Sequence, residues 1–337
     1  MKGQVSGIGT TARFEATGTA ARALPEIYNL PDAQKFVIEW LASQGLKADR
    51  FAAIGHRIVH GGTKFSSPVR VDDRIQIELG ELQALAPLHQ PFGLGVLRQM
   101  RLIAPGGPHV ACFDTAFHAT QPEVATRLPL PREYHDRGYR RYGFHGLNYE
   151  HVVAALPKIT RKPLPRRLLV AHLGNGASMC AILNGSSIAT TMGYSTADGL
   201  IMGTRTGAID PGVLIALMHD DHLDVDALED LLYRRSGLLG LSGLSSDMLV
   251  LLASDRPEAA EAIEHYCYSG ARHAASLVAA MGGVDAIAFT GGIGENAVPV
   301  RAGILAHLSW LNLSAEHIFI VPANEELAIA RHVAALV

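Results

Sequence analysis

The 337-residue chain has no basic excess: 29 Lys and Arg stand against 32 Asp and Glu, a formal net charge of −3. A generic nucleic-acid binder works by neutralising phosphates with Lys and Arg, so this balance argues against one. A small anionic substrate needs only a few local cations and is not excluded. Also missing is any run of roughly 18 or more apolar residues, so no transmembrane helix and no membrane partner is expected. The opening MKGQVSGIGTTARFEA has no apolar h-region, and no secretory leader is expected. Cysteine is scarce: Cys112, Cys180 and Cys267 lie far apart and are odd in number. Two of them sit in the apolar runs HVACF and SMCAIL, which reads as buried thiols in a cytosolic protein rather than a disulfide framework. None of the sixteen histidines shares a metal-binding spacing with a cysteine.

What is present is material for buried cores: 48% hydrophobic and 18% charged residues, in a length that suggests about two domains. The 34 glycines and 17 prolines punctuate short apolar β-like runs that alternate with helical patterns, an α/β texture. Ala52–His60 reads as a strand, Pro91–Ala104 as a helix opened by proline, His109–Phe113 as a short buried strand ending at Asp114, and Asn148–Leu156 as helical. From Arg167 to Gly193, three β-rich runs are separated by Asn175-Gly176 and Asn184-Gly185, which predicts a three-strand meander. Helices follow near Gly212–Asp220 and Val225–Arg234. A long one spans Pro257–Met281, closed by Gly282-Gly283. A strand at Asp285–Thr290, a glycine loop, a helix from Val298, a strand at Ile318–Pro322 and a helix at Asn324–Leu336 complete the chain. The domain boundary is expected near Thr115–Gly138.

Four features carry candidate chemistry. HLGNGAS (His172–Ser178) runs a strand into a glycine turn, where backbone N–H groups converge on an anion without Cβ obstruction. An ordinary hairpin has the same look. FTGGIGENA (Phe289–Ala297) ends an apolar strand in glycines before a helix, a crossing of the kind that binds phosphate, although it fits neither common nucleotide fingerprint. Charged residues stand in or at the ends of apolar strands: Arg57, on one strand face with Val59; Asp114; and Arg205 in MGTRTGAIDPG. Burying them is costly unless they are paired or functional. His56 and His60 share the opposite face from Arg57 and read as core or hydrogen-bonded groups. In YGFHG, His145 reads either as a positioned donor or as a packed histidine.

Together, GHRIVHGG, LAPLHQP, CFDTAFH, RRYGFHG, AHLGNGAS, MGTRTGAIDPG, SGLLGLSG, SSDM, FTGGIGENA and VPANEELAIA, in this order and across almost the whole chain, resemble the acetokinase family of the sugar kinase/heat-shock protein/actin superfamily. The resemblance implies an α/β fold of two actin-like (ribonuclease H-like) domains with a cleft between them. The first would comprise residues 1–116 plus 325–337, and the second, nucleotide-binding domain residues 117–324. It implies reversible, Mg²⁺-assisted phosphorylation of acetate by ATP, giving acetyl phosphate and ADP, by a cytoplasmic homodimer. By motif, Arg57 and Arg205 flank the carboxylate and the transferring phosphoryl group, His145 stabilises the transition state, and Asp114 is the catalytic carboxylate. Val59, Leu88 and Phe144 line the methyl pocket. His172, Leu173, Gly174, Asn175 and Gly176 hold phosphates. Asp247, Met248, Leu249, Gly292, Ile293, Gly294, Glu295 and Asn296 surround the nucleotide, and Glu325 matches a magnesium ligand.

The chain departs from the family pattern at several points. The family opens with a strand, a phosphate loop ending in Lys and a second strand; here only one β-like run is read before the helix near Asp32–Ser43. The first domain is therefore expected to be N-terminally truncated, with an exposed sheet edge. The connection between Leu313 and Ile318 is short. Ala208 replaces a usual acidic residue, Leu249 a usual Arg, and Thr196 a usual Pro beside the acetate pocket. Acetate is already ionised at neutral pH, so the chemical task is to bring two anions together. Arg and N–H donors suit that task, and Asp114 is expected to act through Mg²⁺ or orientation rather than as a simple base. The alternatives are a kinase for another short carboxylate such as propionate, and a catalytically impaired nucleotide-binding homologue.

Overall fold

The computed structural model describes residues 1–87 and 89–337; Leu88, placed by motif in the methyl pocket, lies outside the described residues. The chain divides into two compact units, residues 1–59, 68–112 and 330–337, and residues 60–67 and 113–329. The sequence boundaries stood at 116/117 and 324/325. Segment 60–67 goes with the second unit because the Gly61 N–H donates to Thr115 Oγ1 at 3.0 Å and Phe65 stacks on Phe113.

The first unit opens with β1 (Gly3–Ser6), β2 (Arg13–Ala16) and β3 (Thr19–Ala23), an antiparallel meander. This corrects the expectation of a single β-like run before the first helix. The strands are short, mostly exposed and poor in β-branched residues, so they give little periodic signal. Their turns are made by glycines in the left-handed region, Gly7 at φ 65° and Gly18 at φ 78°. Helix α1 (Leu30–Ser43) starts where Asn29 accepts the Asp32 N–H at 2.9 Å, with proline in its first turn. It lays Phe36 and Trp40 on Phe14 of β2, with ring centroids 5.1 and 4.9 Å apart. Next come β4 (Ile54–Ile58), β5 (Val69–Arg70), α2 (Asp73–Glu81), α3 (Gln90–Ile103) and β6 (His109–Phe113). The strands form a second sheet in the order β4-β6-β5. His56 and His109 are buried side by side, Nε2 to Nδ1 at 2.8 Å.

The second unit contains α4 (Glu123–Thr126), α5 (Arg132–Asp136) and α6 (Gly146–Thr160), followed by β7 (Arg167–Leu173), β8 (Ala177–Leu183) and β9 (Ser186–Thr190). The meander is turned at its second corner by Asn184 and Gly185, both at positive φ (51° and 84°), as a two-residue hairpin requires. Helices α7 (Pro211–Asp220), α8 (Val225–Arg234), α9 (Gly237–Ser242), α10 (Met248–Leu252) and α11 (Pro257–Met281) follow. Gly282 at φ 67° ends α11 with the paired carbonyl bonds of a left-handed cap. The chain closes with β10 (Ala286–Thr290), α12 (Gly291–Asn296), α13 (Val298–His307), β11 (Ile318–Ile320) and α14 (Glu325–Leu336), whose last residues belong to the first unit. The glycine run after β10 is thus a helical turn starting at Gly291 rather than a loop. The last strand stops two residues short of Pro322.

The five strands run β11-β10-β7-β8-β9, parallel on the β10 side of β7 and antiparallel on the other. Leu168 and Val170 of β7, with Cys180 and Ile182 of β8, face Tyr149, Val152 and Leu156 of α6 in one fully buried cluster. The alternate residues Leu169, Ala171, Met179 and Ala181 are equally buried. Burial on both faces explains why these strands read as unbroken apolar runs.

Candidate active site

The register of β7 and β8 sets the site. His172 pairs with Ser178, and Leu173 with Ala177, which leaves Gly174, Asn175 and Gly176 as the turn between them. Both His172 and Ser178 have the strand parity that faces α6. At the start of α6 three side chains come down on that pair, from His145 and, one helical turn on, from Asn148 and Tyr149. His145, the residue before the helix, sits at φ 58° and points Nδ1 at Ser178 Oγ, 2.9 Å away. Its ring lies on that of His172. Asn148 donates from Nδ2 to His172 Nδ1 at 2.7 Å and to Thr290 Oγ1 at 3.1 Å. Tyr149 places its hydroxyl against Ser178 Oγ.

Arg205 reaches the same turn. A Cβ on Gly176 would stand 3.4 Å from His145 Nε2 and 3.7 Å from Arg205 Nη1. The missing side chain therefore leaves a small space bordered by an imidazole nitrogen and a guanidinium. Arg205 Nη1 also donates to the Thr196 carbonyl at 3.2 Å. Burial lowers the Arg205 pKa, yet a guanidinium stays charged throughout the working range. The loop that carries it is pinned by Arg141, which donates from Nη1 to Asp198 Oδ2 at 3.0 Å and to the Thr191 carbonyl at 3.1 Å.

Asp114 directly follows β6, is buried, and accepts the Gly146 N–H on its carbonyl at 2.8 Å. A side chain at Gly146 would collide with that carbonyl, so glycine there lets the start of α6 press onto Asp114. The helix N-terminus adds partial positive charge to the same region. The turn also meets α12: Gly291 at φ 79° fits over the Leu173 carbonyl, and the Gly292 nitrogen lies 4.0 Å from where a Cβ on Gly174 would be. On its other side Gly203 has no room for a side chain against the Asn175 amide oxygen and donates its N–H to the Asn175 carbonyl at 3.1 Å. The same position would place a Cβ 3.2 Å from the carbonyl of Ser246, which brings the Ser245–Asp247 segment alongside. The N–H groups of Gly174, Gly203 and Gly291 are taken by the Gly176 carbonyl, the Asn175 carbonyl and Glu295, so what the turn offers an anion is a surface without side chains at Gly174 and Gly176, with one Arg and two His at its rim.

Of the residues named by motif, the structure gathers His145, His172, Gly174, Asn175, Gly176, Arg205 and Gly292, with Asp114 adjoining through Gly146. The others have these surroundings. Phe144 is buried against His60, ring centroids 5.6 Å apart. Leu173, Met248 and Gly294 are buried. The Asp247 carboxylate caps α10 by accepting the Leu249 N–H at 2.8 Å, and Leu249 itself is exposed. Glu295 Oε1 accepts the N–H groups of Gly291 at 3.0 Å and Ala323 at 2.9 Å, so it braces the glycine turn. Asn296 donates back to the Gly292 carbonyl at 2.9 Å, and Ile293 lies between them in α12. Arg57 is an exposed residue of β4 and Val59 follows that strand, both in the first unit. Glu325 opens α14.

Ser178, Asn148 and Tyr149 were missed as site residues. Their signal was available: seven-residue HLGNGAS folds its last letter back opposite its first, and positions 148 and 149 follow His145 by one helical turn.

A sequence profile of the acetokinase family matches residues 9–325. An acetate kinase from Rhodopseudomonas palustris is 45% identical over 331 residues, spanning 92% of this chain and 83% of its own. The crystal structure of Porphyromonas gingivalis acetate kinase superposes with a TM-score of 0.89 at 32% identity, over 99% of this chain and 92% of that one. A propionate kinase from Francisella tularensis subsp. tularensis does so with a TM-score of 0.91 at 34% identity, again over 99% and 92%. The α/β fold is therefore of the actin-like type.

Proposed function

The chain belongs to the acetokinase family, phosphotransferases with a carboxyl group as acceptor, and from that premise we propose that it transfers the γ-phosphoryl group of ATP reversibly to acetate, giving acetyl phosphate and ADP. The observation that carries the reading is the convergence of His145 Nε2 and Arg205 Nη1 on the open side of Gly176, at the Gly174–Gly176 turn.

In phosphoryl transfer the charge spreads over three equatorial oxygens, so fixed donors aimed at them do most of the work. The turn and the Gly292 amide hold the nucleotide phosphates, Arg205 neutralises the transferring group, and His145 donates to it. The family motif, rather than any geometry, assigns Arg57 to the acetate carboxylate and Val59, Leu88 and Phe144 to its methyl. Asp247, Met248, Leu249 and the α12 turn border the nucleotide.

Among the described residues no three His, Cys, Asp or Glu side chains gather as a metal cage. Mg²⁺ needs none, because it binds through one or two carboxylates together with substrate phosphates and waters. The hard oxygen donors Asp114 and Glu325 suit it, and when bound it neutralises phosphate charge. Because acetate is already ionised, Asp114 orients and does not deprotonate.

The protein works in the cytoplasm as a homodimer. All three cysteines are buried and none is in a disulfide, as suits a reducing compartment, and no described helix is long and apolar enough to cross a membrane. Helix α7 leaves Ile215 and Met218, one turn apart on the same side, exposed, an apolar patch that a second copy would cover.

The test is formation of acetyl hydroxamate by the purified chain from ATP, Mg²⁺, acetate and hydroxylamine. Retained ATP binding without acetyl phosphate would overturn the reading. A second reading, a slightly longer acid, is favoured by Thr196 standing where the family carries Pro, with its carbonyl engaged by Arg205. Relative kcat/KM for acetate, propionate and butyrate separates the two.

A further inference from the structure

Ser178 Oγ lies 2.9 Å from His145 Nδ1 and also meets the Tyr149 hydroxyl. Both Ser178 and Tyr149 are completely buried. Tyr149 is held by ring contacts with Phe117 and His118, and among the described residues its hydroxyl has one hydrogen-bond partner, Ser178. Burial raises the Tyr149 pKa well above that of a free phenol, so its proton stays on.

The protons can be placed in three ways. If Ser178 donated to Tyr149, the phenol proton would be buried without an acceptor. If Tyr149 and an Nδ1–H of His145 both donated to Ser178, the serine proton would be stranded. Only one arrangement satisfies every group: Tyr149 O–H donates to Ser178 Oγ, and Ser178 O–H donates to His145 Nδ1.

We propose that Tyr149 and Ser178 form a buried donor relay that fixes His145 as the neutral tautomer with its proton on Nε2. Nε2 is the nitrogen bordering the space at Gly176 beside Arg205 Nη1. The relay therefore turns an N–H, rather than a lone pair, toward an anion in that space. Ser178 and Tyr149 are positioning residues that act through His145. The fold builds the relay twice over, since Ser178 is in register opposite His172 and Tyr149 follows His145 by one helical turn.

The experiment is ¹⁵N NMR of histidine-labelled protein, with the His145 ring assigned by His145→Gln, alongside hydroxamate turnover. The wild type should show Nε2 protonated and Nδ1 bare. Ser178→Ala should give a mixture of tautomers and lower kcat about tenfold, with little change in the KM for acetate. Ser178→Thr, which restores the hydroxyl, should restore the tautomer. Should Ser178→Ala not fold, Tyr149→Phe serves: it frees Ser178 to accept and should admit the Nδ1–H form. A protonated Nδ1 in the wild type would overturn the relay, as would a fall in kcat with the tautomer unchanged. The role toward the phosphoryl group rests on the function proposed above, but the tautomer does not. An Nε2–H signal in a chain that makes no acetyl phosphate would refute that function and uphold the relay.

Discussion

The imidazole of His145 lies flat against that of His172, ring centroids 4.2 Å apart and planes 17° from parallel. His172 is fixed from behind by Asn148, so it is a platform on which the His145 ring rests. Removing the platform should free the ring without emptying the core, because His172 is only half-buried. His172→Ala is expected to lower hydroxamate turnover by about 100-fold, the size of effect that a small misplacement of a reacting group produces. Thermal unfolding followed by circular dichroism should move little. An equal loss of stability and activity would contradict the platform role.

Two glycines at the same turn should fail differently when changed to alanine. At Gly176 the backbone is ordinary, and a Cβ meets its neighbours at 3.4–3.7 Å, so the chain folds with a methyl standing before His145 Nε2 and Arg205 Nη1. Turnover should collapse with the melting temperature preserved. At Gly291, φ is +79° and a Cβ would sit 2.7 Å from the Leu173 carbonyl, so Gly291→Ala should destabilise the unit. Paired melts and assays of the two variants decide it.

Much of this arrangement was legible because its signals are local. The proline and glycine limits of α11, the two Asn-Gly corners and the strand ending at Asp114 follow from turn chemistry and apolar runs. The β1–β3 meander was not legible, since its stability comes from Phe14 meeting Phe36 and Trp40 rather than from its own alternation. At the site, motif resemblance named His145, Gly176 and Arg205. It also named Glu295, whose carboxylate the structure spends on two backbone N–H groups. A letter in a glycine motif does not reveal which way its side chain turns, and Ser178 escaped for the same reason.

Glu295 is expected to matter through that brace. Glu295→Gln keeps the size but weakens two charge-assisted bonds, to Gly291 and Ala323. The expected cost is about 1–3 kcal/mol, read as a lower urea midpoint. Amide exchange at Gly291 should speed up. Unchanged exchange at that amide would argue against the brace.

Acid should destabilise the protein through buried neutral histidines. His118, whose Nε2 meets the Phe144 carbonyl at 2.9 Å, is held at a pKa of about 4 by burial, and His60 is likewise at about 4. His56 is also lowered to about 4, first by burial and then by the neighbouring His109. Above the ordinary histidine pKa near 6.5, folded and unfolded chains are both neutral at these sites. Between that value and about 4 the unfolded chain takes up protons that the folded one refuses, so stability falls as pH falls. Each group contributes roughly 3 kcal/mol to the loss once pH drops below its folded pKa. Urea midpoints taken between pH 7 and pH 4 should therefore decline steadily. A flat profile would mean that these rings can charge in place.

The sharpest test of the chemistry is Asp114→Asn. Asp114 follows a fully buried strand, and its carbonyl already anchors the first amide of α6, so the isosteric change should leave the backbone in place. A base is not required for an acceptor that is ionised at neutral pH. If the carboxylate orients the phosphate–magnesium group, the amide should lower kcat by about 100-fold or more, as losing one fixed electrostatic partner of the transition state does. It should also shift half-activation to higher Mg²⁺, with ATP still bound. If instead it were a general base, the loss would be recovered at high pH and the magnesium dependence would not move. Turnover measured across a magnesium series at two pH values distinguishes these outcomes, and near-normal turnover with an unaltered magnesium curve would remove Asp114 from the mechanism.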